Sequence, residues 1–138
     1  MSKRPGGLTA LAVMNFVFGG FGGILALIQM ATISAGAEVL AEGQASGEIP
    51  SNAVLYAFTL GSLVSAALLI TAGIGYLGLK RFLGRAMGNA YVAVSLASTI
   101  AEFFVSRSTF SVGTLVFMVY PIITVALINL TFREDFFN

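Results

Sequence analysis

The chain has 138 residues, 57% of them hydrophobic and 9% charged, with a formal net charge of +1 and neither Cys nor His. Soluble domains carry about 25% charged residues, so this composition cannot clothe a water-facing surface. It also excludes a disulfide framework, a thiolate or imidazole metal site, a cysteine nucleophile and a bulk basic field for nucleic acid.

A helix needs about 20 apolar residues to cross a hydrocarbon layer about 30 Å thick. The first segment that qualifies runs over residues 8–34 and holds Gly19, Gly20, Gly22 and Gly23 in its middle. In an exposed helix each glycine costs about 1 kcal/mol against Ala. In lipid, where helices associate by close packing, small residues let a second backbone approach. Asn15, Gly19, Gly23 and Ala26 fall on one stripe, with Gly19 and Gly23 as a GxxxG pair, while Gly20 and Gly22 fall on other sides of the helix. Two grooves on one helix point to internal packing for one and a second subunit for the other. The run ends at Ala35-Gly36-Ala37, a small-residue pattern like a signal-peptidase site, but the apolar stretch exceeds the roughly 7–15 residues of a signal h-region.

Residues 35–52 form an acidic connection with Glu38, Glu42 and Glu48. Helix 1 is expected to reach into it, and Pro50, Ser51 and Asn52 read as a stop and an N-cap. The second span covers 53–79, with Gly61, Ser65 and Gly73 on its small-residue faces. The stretch GLKRFLGR makes a tight basic turn. The third span covers 86–105, with the Gly84/Gly88 pair before a row of Ala93, Ala97 and Ala101 at four-residue spacing. The fourth covers 110–132 and contains Pro121, which removes a backbone donor and predicts a kink beside Tyr120. The tail TFREDFFN places Phe136 and Phe137 after a charged triplet, as in a chain returning to the headgroup boundary.

Orientation follows from the basic residues. Lys3, Arg4, Lys80, Arg81, Arg85 and Arg133 share one side, and Arg107 alone lies on the other. The prediction is a single domain over 1–138: an all-α integral membrane four-helix bundle with antiparallel neighbours, both termini cytoplasmic, in the cell membrane.

Depth along the spans sorts the polar residues. Asn15, Tyr76, Asn89, Tyr91 and Asn129 fall towards the inner side, and Gln29, Tyr56, Glu102 and Arg107 towards the outer. The middle is apolar apart from Ser65, Ser95 and Thr124. Amides in a span seek partners across helices, so Asn15, Asn89 and Asn129 are expected to form one cluster pinning three helices. Glu102, the one carboxylate within a span, is a functional candidate by default, with pairing to Arg107 as the plainer reading.

The segments GLTALAVMNF (7–16) and GIGYLGLKRFLGRAMGNAYVAVSL (73–96) resemble a loose group of small four-span bacterial integral membrane proteins. The resemblance implies the fold and carries over no functional residue. Unlike small multidrug transporters, the chain has no glutamate in its first helix. No nucleophile–base pair, phosphate loop or metal motif is present. The sequence therefore predicts a non-enzymatic protein without cofactor. Its expected partners are membrane lipid and itself or other membrane subunits, not nucleic acid. A small oligomeric transporter or channel is the alternative.

Overall fold

The computed structural model describes residues 6–47, 49–106 and 112–136. These are almost entirely helical. Helix α1 spans Gly6–Ala35, α2 Ala37–Ala45, α3 Asn52–Gly78, α4 Met87–Ser106 and α5 Val112–Ala126. Wider π-helical turns, Arg81–Ala86 and Leu127–Thr131, lead into α4 and continue α5.

Three helical stretches are long and apolar enough to cross a membrane: Gly6–Ala35, Asn52–Gly78 and Arg81–Val105. The fourth apolar stretch, Met118–Thr131, is shorter. The start of the expected fourth span, residues 110 and 111, lies outside the described residues.

The long helices alternate in direction. Gly19 of α1 meets Ala66 of α3, whereas Gly73 of α3 meets Ala12 of α1. Gly61 of α3 faces Ser98 of α4, whereas Gly75 meets the turn before α4. Helix α1 packs chiefly on α3, α3 on α4, and α4 on α5. Side chains close the seam between α1 and α5: the Phe18 and Tyr120 rings stand edge to face at 4.8 Å, and Leu8 and Ile128 share one core cluster.

Helix α1 passes unbroken through Gly19, Gly20, Gly22 and Gly23, and Gly19 is needed for contact. A Cβ on Gly19 would stand 3.0 Å from the Ala66 carbonyl and 2.9 Å from Ile70 Cγ1. Gly75 is tighter still, its Cβ position being taken by the Leu83–Gly84 backbone. Two main chains therefore touch where α3 turns into α4.

That turn is set by a Schellman-type end. The Lys80 N–H donates to the Gly75 carbonyl at 3.0 Å and the Leu79 N–H to the Tyr76 carbonyl at 3.4 Å. Leu79 holds the left-handed position at φ 52°, where glycine is usual, and its side chain packs on the core beneath.

The connection after α1 is helical past Glu42, where helix 1 was expected to reach, but not as one helix. Gly36 breaks the helix and α2 follows at once. Gln44 Nε2 then donates to the Pro50 carbonyl at 3.0 Å and to Asn52 Oδ1 at 2.8 Å. Ser51 occupies the N-cap position of α3, but its side chain makes no capping bond. At this end Ser34 Oγ and the Tyr56 hydroxyl lie 2.9 Å apart and join α1 to α3.

The core sits towards the opposite end, where Lys80, Arg81, Arg85 and Arg133 lie, hereafter the basic end. Leu8, Leu11, Ala12, Ala72, Tyr76, Ile128 and Phe136 pack together there. The tail differs from expectation. Phe136 turns inward, its ring 5.9 Å from that of Tyr76 and seated over Gly84, because that glycine leaves room for it. Phe137 lies outside the described residues. Outward-facing side chains are apolar on every long helix, as at Phe21, Leu60, Phe104 and Ile122.

Candidate functional site

Two groups of polar side chains, one half-buried and one buried, occupy the half of the bundle nearer the basic end. The first is built on Asn129, carried by the π-helical continuation of α5. Its Nδ2 donates to Asn89 Oδ1 at 2.7 Å and to the Val125 carbonyl at 2.9 Å. Its Oδ1 accepts from Arg85 Nε at 2.9 Å and from Asn89 Nδ2 at 3.4 Å. An amide offers two donors and two acceptor positions, so Asn129 is fully used. Arg85 comes from the other π-helical turn. The two π-helical turns among the described residues thus meet at one amide.

The second group lies on α1, α3 and α5. The Tyr120 hydroxyl donates to Asn15 Oδ1 at 2.5 Å. Asn15 Nδ2, Tyr76 Oη on α3 and Thr124 Oγ1 on α5 are buried without a partner. All three residues have no exposed surface.

The expected cluster of three asparagines is therefore divided. Asn89 and Asn129 pair, and Asn15 bonds to Tyr120 instead. Helix α1 packs chiefly on α3, and Asn15 on it reaches Tyr120 of α5, while Asn89 on α4 reaches Asn129. Arg85 was read from the sequence as a topology signal, and nothing in its spacing marks it as a partner of Asn129. Thr124 and Tyr120 share a face of α5 at four-residue spacing, which was the available signal for the second group.

The small residues separate into filled and open positions. Ala66 lies against Gly23, Ser98 against Gly61, Phe16 against Gly73, Phe136 against Gly84, and Tyr76 with Ile128 against Gly88. Ser65 is half-buried. Nothing lies within 4 Å of a Cβ placed on Gly20 or Gly22. Ala93, Ala97 and Ala101 are exposed along one row of α4.

Gln29 and Glu102 are exposed and lie towards the end remote from the basic turn. Arg107, the expected partner of Glu102, lies outside the described residues. Pro121 is buried within α5, and the helix continues through it from Val112 to Ala126. Among the described residues no group of three or more Asp and Glu side chains could hold a metal ion. The polar groups that are gathered are neutral apart from Arg85.

Comparison with protein-family models, with curated proteins and with solved structures finds no match to this chain.

Proposed function

We propose that the protein is an integral membrane protein crossing the bilayer four times, with both termini cytoplasmic. We read it as a non-enzymatic oligomeric or accessory subunit of a membrane complex. Insertion is supported by the apolar exterior: patches of this extent mark surfaces meant for lipid or protein rather than water. The described basic residues of the connecting turns lie at one end, as the cytoplasmic side requires.

The subunit role rests on one observation. The chain fills Gly19, Gly61, Gly73, Gly84 and Gly88 with its own atoms, yet leaves Gly20 and Gly22 open and Ala93, Ala97 and Ala101 on the surface. In lipid a smooth row of this kind is where a neighbouring helix can come close.

The test is the mass of the protein purified in mild detergent, read by native mass spectrometry. The expected species is larger than one chain, through copies or co-purifying subunits. Ala97→Trp should release the single chain, and Ala97→Gly should not. A single chain in all three preparations would contradict the proposal. An oligomeric transporter or channel is the second reading, favoured by the polar Asn15–Tyr120 contact across the α1–α5 seam. Solute or ion flux through proteoliposomes of the unmodified protein would turn the conclusion to that reading.

A further inference from the structure

Arg85 is anchored at one nitrogen and open at two. Its Nε donates to Asn129 Oδ1 at 2.9 Å, and Asn129 is itself fixed by Asn89 and the Val125 carbonyl. A guanidinium carries five N–H donors in a planar fork. The four on Nη1 and Nη2 have neither a hydrogen-bond nor a carboxylate partner among the described residues. The buried polar atoms without a partner, among those residues, belong to Asn15, Tyr76 and Thr124 alone. Both Nη atoms of Arg85 therefore open on the outside of the bundle. Arg81 is exposed and stands four residues earlier on the same π-helical turn, a spacing that puts two side chains on one face. Glu134 and Asp135 follow in the tail, and neither pairs with these arginines.

The surface beside the fork is apolar. Phe82, on the turn that carries both arginines, is 68% exposed, and Leu130, next to Asn129, is 82% exposed. Apolar side chains this open suit acyl chains better than water. Cations and bare apolar groups at one level mark the headgroup boundary of a bilayer.

We propose that Arg85 and Arg81 bind the phosphate of an anionic phospholipid whose acyl chains lie against Phe82 and Leu130. This rests on the reading of the chain as a membrane protein with its basic end in the cytoplasm. The fork matches two phosphate oxygens at once. Asn129 sets its direction before the lipid arrives, which lowers the ordering cost of binding. A choline headgroup would bring a cation to two arginines, so lipids of net negative charge are selected. A free phosphate could bond the fork but would leave Phe82 and Leu130 uncovered.

The test is native mass spectrometry in a non-ionic detergent with equal amounts of phosphatidylglycerol and phosphatidylcholine of matched chains. Each cation facing an anionic lipid contributes about five-fold, so one phosphatidylglycerol per chain should be retained about ten-fold or more in preference. Arg81→Gln alters an exposed side chain and should cut that preference about five-fold. Arg85→Lys keeps the charge but loses the fork, and should cut it at least as far. Equal retention of the two lipids, or an unchanged preference in either variant, would overturn the proposal. So would release of the lipid by inorganic phosphate. Flotation with liposomes separates this from the reading beneath it. Protein that floats but shows no lipid preference fails this proposal alone, whereas protein that stays behind fails the membrane reading.

Discussion

Asn129 is the residue with most at stake in the bundle. Its amide serves Arg85, Asn89 and the Val125 carbonyl at once. Asn129→Leu leaves Arg85 Nε and the Asn89 amide without those bonds. A fully buried polar group left unpaired costs about 1–3 kcal/mol; Arg85 and Asn89 are half-buried, so the expected loss in equilibrium unfolding in mixed detergent is at the low end, about 1 kcal/mol. Asn129→Asp keeps an acceptor for Arg85 and should lose less. Equal losses for the two would show that Arg85 gains nothing from this contact. The amide was legible in the sequence as a polar residue at the right depth. Its partners were not. Counting along a helix gives height but not which side chains meet, so Asn15 was grouped with Asn89 and Asn129, whereas its bond is to Tyr120. Tyr76 and Thr124 were legible as polar residues by depth and Tyr120 as the neighbour of a kink, but nothing in the sequence joined Tyr120 to Asn15.

At the scale of elements, glycine spacing located the contact between α1 and α3 but undervalued the turn between α3 and α4. The GxxxG pair marks Gly19 and Gly23, and α3 does lie on both. Gly75 belongs to no such motif. Its partner is main chain from a π-helical turn, an irregularity that no residue pattern announces. Substitution should rank the glycines by what each meets. Gly75→Ala drives backbone into backbone and should cost the most in thermal unfolding followed by circular dichroism. Gly19→Ala should cost less, since the Ile70 side chain can yield while the Ala66 carbonyl cannot. Gly20→Ala meets nothing within the chain, and alanine is the better helix former by about 1 kcal/mol, so the isolated chain should be unchanged or more stable. A loss at Gly20 equal to that at Gly75 would mean that packing within the chain does not govern these positions. The tail was also hidden from sequence reading. Two phenylalanines after charges resemble an interfacial anchor, and only the space over Gly84 draws Phe136 inward.

The whole molecule is a row of long helices alternating in direction, brought into a bundle by side chains at its basic end. The apolar runs, their order and the short turns were legible because helices long enough to cross lipid require length and hydrophobicity, both of which a sequence displays. The shorter fourth helix, the break at Gly36 that makes α2 a separate helix, and the seam between α1 and α5 were not, because they depend on tertiary contact. The central claim is that this bundle lies in a membrane with its basic end in the cytoplasm. The chain has no cysteine, so single replacements report cleanly. Ser46→Cys and Glu134→Cys place a thiol at exposed positions on opposite ends of the bundle. With an impermeant maleimide on intact spheroplasts, the account predicts labelling at 46 and none at 134 until the membrane is opened. Labelling of both from the same side, or recovery of the protein from the soluble fraction, would contradict it.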